Sequence, residues 1–99
     1  MSRIDLKFSP EMARAVIAGK KCCTSRRERK GCPGDEFELE GARFRILDVM
    51  ALTYNQVCVH LFRCEGVPDS IALVTAIERI YGDLSPETPL FVHFFARCP

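Results

Sequence analysis

The chain has 99 residues, is 47% hydrophobic and 27% charged, and carries a formal net charge of +1. This length and composition exclude a second large domain and a disordered or collagen-like chain, leaving one small domain over residues 1–99 with a modest core. No apolar run approaches the ~20 residues of a membrane helix, and charges interrupt Met1 to Lys7 where a secretory signal would lie, so a cytoplasmic protein with no membrane partner is expected.

Ile4, Leu6 and Phe8 alternate with charged residues and predict a half-buried strand over 3–8. Ser9-Pro10-Glu11 then reads as a helix start: a capping hydroxyl, a proline at the first turn and an acid at the positive end of the dipole. Met12, Val16 and Ile17 form its apolar stripe, and Gly19 ends it. A short strand is predicted over Cys22 to Arg26, followed by a polar loop with Gly31 and Pro33-Gly34. Glu36 to Glu40 alternate acidic and apolar residues, which predicts a strand with Glu36, Glu38 and Glu40 on one solvated face. Gly41-Ala42 is read as the turn into a strand over 44–52. Tyr54 and Asn55 read as a polar turn, and Val57, Val59 and Leu61 as a strand running to Cys64. Ile71, Val74, Ile77, Ile80 and Tyr81 fall at helical spacing over 69–81, and Gly82 can end that helix. Leu90 to Ala96 reads as a buried C-terminal strand. The order β-α-β-β-β-β-α-β predicts an α+β fold, a mixed antiparallel sheet of five to six strands curled into a small barrel with two helices.

The net charge conceals an asymmetry. Lys20, Lys21, Arg26, Arg27, Arg29 and Lys30 stand against Glu28 alone, so residues 20–30 carry +5 and the remainder −4. Such a block is either a solvated loop or a patch for an anionic partner. Six cysteines occur without any Cys-x-x-Cys pair, and His60 and His93 lie far apart, so neither a metal site nor a cofactor is expected. Cys58 and Cys64 sit among apolar residues and read as core. Cys22, Cys23 and Cys32 border the basic block, where a thiolate would be favoured. His60 and His93 read as structural.

The segment Gly19-Lys20-Lys21-Cys22-Cys23-Thr24-Ser25-Arg26 joins a helix cap to a strand that carries ammonium, hydroxyl and guanidinium groups. Arg26 can grip a phosphate or carboxylate with two parallel bonds. Thr24 is a nucleophile if a base is in reach, and Lys21 is a cation or, at lowered pKa, that base. Thr24 and Arg26 share a strand face. Lys21 shares it only if it lies in the turn and folds back. The same residues would also serve as a charged guard on an exposed edge strand.

Gly19-x-Lys21-x-x-Thr24-x-Arg26 resembles the Gly-x-Lys-x-x-Thr-x-Arg motif of the ASCH domain family, relatives of the PUA RNA-binding fold. Gly34-Asp35 is similar to the family's Gly-Asp step. Glu65-Gly66-Val67-Pro68 resembles its Glu/Asp-Gly-Phe turn, with Val67 in place of the aromatic. Ile80-Tyr81-Gly82 and the strand from Leu90 to Phe95 resemble its closing elements. The resemblance implies a small PUA-like β-barrel with a basic cleft for RNA or a nucleotide-like ligand. One branch of the family consists of N4-acetylcytidine amidohydrolases. By that resemblance Lys21, Thr24 and Glu65 are the catalytic residues and Arg26 shapes the cleft. Lys20, Arg26 and Arg27 are the ligand-binding cations.

Two functions follow. One is binding of RNA or a nucleoside- or nucleotide-like ligand. The other is hydrolysis of an acylated nucleoside: Lys21 takes the Thr24 proton, Thr24 attacks the acetamide, and Glu65 orients Lys21 or serves the leaving nitrogen. Lys20, Arg26 and Arg27 would stabilise the oxyanion. Binding is placed slightly ahead because it needs less precise geometry.

Overall fold

The computed structural model describes residues 2–99. Ser9 caps the first helix, α1 (Pro10–Ile17), by accepting from the Met12 N–H, with Pro10 opening the first turn. The elements that follow are β1 (Cys23–Arg26), β2 (Glu36–Leu39), β3 (Ala42–Thr53), α2 (Tyr54–His60), α3 (Ser70–Tyr81) and β4 (Pro89–Arg97). The four strands form one antiparallel sheet in the order β1-β4-β3-β2. β4 pairs with β3 along its length and with β1 from Cys23↔Phe94 to Arg26↔Phe91. The β3–β4 register shifts between Ile46 and Asp48, the kind of irregularity that bends a strand and raises its twist.

Two apolar clusters cover the sheet. Leu73 and Ile77 of α3 and Val57 and Cys58 of α2 pack with Cys23, Leu90 and Val92. Val16 of α1 and Leu6 pack with Phe37, Phe44, Ile46 and Phe95. In the second cluster Phe37 stacks on Phe44, and Phe95 meets Phe37 edge-on, both at 5.3 Å between ring centres. Such aromatic pairs add about 0.5–1.5 kcal/mol each beyond the area they bury.

The architecture is α+β, as the pattern predicts, with the element count corrected. Among the described residues the barrel-like sheet has four strands, with edges β1 and β2, where five to six were expected, and there are three helices in place of two. The strand expected over 57–64 is helix α2 and a turn. Thr53 and Gln56 form a reciprocal capping box. Tyr54, Val57 and Cys58 are the buried face, so helical spacing prevails over the Val57/Val59/Leu61 alternation. Tyr54 is accordingly core. Residues 3–8 form no strand and, among the described residues, make one isolated bridge, a parallel one from Arg3 to Glu36, with Leu6 buried beyond it. On α3 the buried residues are Leu73 and Ile77, while Ile71 and Ile80 are 76% and 73% exposed. The β2–β3 hairpin turns at Glu40-Gly41, both at positive φ (49° and 83°), as a two-residue hairpin with a primed turn requires. The acidic ladder also divides. Glu38 is exposed, but Glu36 is buried and bonded to Arg45 at 2.8 Å.

Candidate functional site

The site begins where α1 unwinds. Gly19 adopts φ 77°, and the N–H groups of Lys20 and Lys21 both return to Ala15 O at 2.9 and 3.1 Å. Lys21 therefore lies in the turn ahead of β1. From there it reaches the residues that a regular strand would deny it. The N–H groups of Cys22 and Cys23 donate to Cys64 O at 2.7 and 3.1 Å, tying the entrance of β1 to the turn that carries Glu65. Gly66 sits at φ 89°, and a Cβ there would meet Lys21 Cβ at 2.9 Å. Glycine at 66 is thus what lets the turn close over Lys21.

This closure buries an ion pair. Lys21 Nζ donates to Glu65 Oε1 at 2.6 Å and to Glu65 O at 3.0 Å, with the two side chains 4% and 5% exposed. Ser25 Oγ donates to the other carboxylate oxygen, Oε2, at 2.5 Å. Thr24 is buried, and its Oγ1 accepts from Arg26 Nε at 3.1 Å. Arg26 Nη2 donates to Lys7 O at 2.8 Å, and the guanidinium lies 5.2 Å from the centre of the Phe8 ring. Burial lowers the Arg26 pKa, opposed by Tyr81 and Glu65. A side chain that titrates so far above neutrality remains a cation there. Lys21, Thr24, Ser25, Arg26 and Glu65 all line one pocket of about 220 Å³, closed by Phe8 and Tyr81 and by Ile77 and Ile80 of α3.

Not every expected residue reaches it. Lys20 and Arg27 are exposed and do not line the pocket. Arg27 contributes its backbone N–H, which donates to the Tyr81 hydroxyl at 3.3 Å. Tyr81, read from its spacing as core, is half-buried on the wall. Ser25 was not singled out by the sequence. Its spacing places it on the opposite strand face from Thr24. But β1 is an edge strand, and the pocket wraps around that edge, so both faces contribute.

His93, opposite Thr24 on β4, is fully buried. Its Nε2 accepts from the Lys30 N–H at 2.9 Å, and Nδ1 lies 3.3 Å from Thr24 O. These partners require the neutral ring with the proton on Nδ1. Burial drives its pKa down, more than hydrogen bonds to Thr24 and Phe91 raise it. Cys22 and Cys23 lie in surroundings that disfavour the thiolate the basic block suggested. All six are free, but burial pushes Cys23 far up, and desolvation and Cys64 push Cys22 up. Among the described residues no group of three His, Cys, Asp or Glu side chains is placed to hold a metal ion, and no helix is long and apolar enough to cross a membrane.

No protein-family model matches the sequence, and no curated protein matches it at a significant level. Solved structures do match. An ASCH domain from Lactobacillus crispatus JV V101 superposes with a TM-score of 0.74 at 16% identity, over 97% of this chain and 79% of that one. The hypothetical protein PH0355 gives a TM-score of 0.76 at 15% identity, over 99% and 100%. Protein EF3133 from Enterococcus faecalis V583 gives 0.70 at 17%, over 98% and 75%. The fold of this chain is the ASCH fold.

Proposed function

We propose that this ASCH-fold protein is a small amidohydrolase that removes an acyl group from a nucleoside-like substrate, with N4-acetylcytidine the first to test. The observation that carries this reading is the buried Lys21–Glu65 contact of 2.6 Å, set in the same pocket as Thr24. An ion pair withdrawn from water contributes little net stability, because desolvation offsets the attraction. The pair nonetheless stands on the wall of a pocket, in the same lining as the Thr24 hydroxyl and the Arg26 guanidinium. The size of the pocket agrees. At about 220 Å³ it lies below the ~300–1,000 Å³ of sites for drug-sized ligands, so it suits one base or nucleoside, with any polymer outside.

The chemistry starts from the pair as it stands. Lys21 holds the proton as an ammonium and is no base in that state. Transfer across the short contact to Glu65 leaves a neutral amine and a carboxylic acid. Lys21 then takes the Thr24 proton as Oγ1 bonds to the acyl carbon, and the carbonyl π electrons move to oxygen. Arg26, already bonded to Oγ1, stands close to the developing oxyanion. Glu65 gives its proton to the leaving nitrogen, the C–N bond breaks, and water hydrolyses the acyl-threonine. Incubation with N4-acetylcytidine and chromatography of the products tests this. Release of cytidine and acetate is expected, with Thr24→Ala slower by roughly 10²-fold or more.

A second reading, binding of RNA or a nucleotide without chemistry, draws on a different observation. The exposed run Arg27 to Lys30 follows directly on the pocket residue Arg26, and Arg27 is bonded to the pocket wall at Tyr81. A base would enter the pocket while phosphates lie along this rim. Affinity for a short RNA should then fall steeply with salt. Lys21 does not fit such a role, since Glu65 already neutralises its charge.

A further inference from the structure

We infer that Ser25 is a positioning residue for Glu65, holding the carboxylate so that one oxygen stays on Lys21. This rests on the hydrolase reading above, and it assigns a role to a residue that the motif leaves unspecified.

The two neighbouring hydroxyls of β1 differ in what they do with their single proton. Ser25 spends its O–H on Glu65 Oε2. Thr24 accepts from Arg26, and among the described residues its own O–H has no protein acceptor. A hydroxyl has one donor hydrogen, so Ser25 is committed to the carboxylate and Thr24 is free to act. Glu65 is in turn held at both oxygens, Oε1 by Lys21 and Oε2 by Ser25. The terminal torsion of a glutamate is broad and roughly two-fold. With Ser25 absent, Lys21 alone holds the carboxylate, at one oxygen, and its plane is free to turn about that contact. The carboxylate would also keep a buried lone pair unmet, which favours rotation toward any other donor. Proton transfer between Glu65 and Lys21, and later to the leaving nitrogen, depends on that angle. Ser25 has no donor hydrogen left to give a substrate, because its single O–H is spent on Glu65. The role belongs to an edge strand. Only at the free side of β1 can residue 25, one step from Thr24, reach the same pocket.

The test is steady-state kinetics on N4-acetylcytidine for the wild type, Ser25→Ala and Ser25→Thr, with thermal melts to confirm folding and intact-mass spectrometry to find acyl adducts. Ser25→Ala should lose roughly 10- to 100-fold in kcat with KM within about twofold, the signature of misplaced machinery with intact binding. Ser25→Thr keeps a hydroxyl on a β-branched residue suited to a strand and should restore most of kcat. The inference is overturned by a Ser25→Ala kcat within about twofold of wild type, by a rise in KM alone, or by an acyl group trapped on Ser25 itself. The first two leave the hydrolase reading standing; the third keeps the hydrolysis but moves the nucleophile from Thr24 to Ser25. Absence of turnover by the wild type overturns both, and the wild-type control separates that failure from the others.

Discussion

Two glutamates in this molecule are each bonded to cations, at opposite ends of the sheet, and they are built differently. Glu36 on edge strand β2 is bonded to Arg45 at 2.8 Å and lies 3.7 Å from Arg43, with both arginines about half exposed. Its partners belong to the neighbouring strand β3, so the contact clamps a hairpin. Hydrogen bonding to Arg45 lowers the Glu36 pKa, as a stabilising pair should. Glu65 beside edge strand β1 meets a lysine that is almost entirely withdrawn from water, and it also takes the Ser25 hydroxyl. In one arrangement a buried carboxylate meets arginines that keep about half their surface in water. The other takes charges out of water at the wall of a pocket. The difference teaches that two pairs of the same charge types can differ in how far the cation is withdrawn from water.

Removing one partner from each pair breaks the comparison open. Glu65→Ala leaves the Lys21 charge buried without compensation and should cost about 3–5 kcal/mol, read as a large drop in Tm together with loss of turnover. Glu36→Ala should lower Tm by much less and leave turnover unchanged. A Glu36 variant that impairs turnover as strongly as the Glu65 variant would erase the distinction.

A smaller effect should come from pH. His93 joins Thr24 to Lys30 as a neutral ring, with its pKa lowered by burial and, to a lesser degree, by Arg26 and Arg29. Its folded pKa lies below its unfolded value of about 6.5. Its contribution to stability is therefore complete above that value and is lost as pH falls below it toward the folded pKa. Tm should decline from about pH 6.5 downward, ahead of the acid-range losses from Asp35 and Glu36, whose pKa values are lowered. In His93→Gln that first decline should vanish.

The smallest effect is expected at the rim. Arg27→Ala with Lys30→Ala should change turnover of a free nucleoside by less than about twofold, since a charge displaced from the pocket is largely screened. A strong loss would move the working site outward and favour the RNA reading.

Much of the pocket was legible in the sequence, for identifiable reasons. Gly19, Lys21, Thr24 and Arg26 stand out because their spacing resembles the ASCH motif; by residue type alone they read equally as a charged guard on an edge strand. Glu65 stands out only through the resemblance of the Glu65-Gly66 turn to the family's; by position alone it reads as an acid beside the start of a helix. Ser25 does not stand out, because period-two alternation assigns it to the other face and says nothing about a pocket wrapped around an edge. The fold was legible in its β1–β3, α3 and β4 segments. The sequence misled at 57–64, where three alternating apolar residues outweighed the Thr53–Gln56 capping pair. It misled again at Ile71 and Ile80, which share a helical period with Ile77 yet face solvent.

The most direct test of the account is turnover of N4-acetylcytidine by a double variant, Lys21→Met with Glu65→Leu, beside the wild type. Replacing both charges with apolar groups of similar size should leave the protein as stable as before or more so. The account predicts cytidine release by the wild type and none above background from the folded double variant. Undiminished release by the double variant, or no release by the wild type, would contradict it.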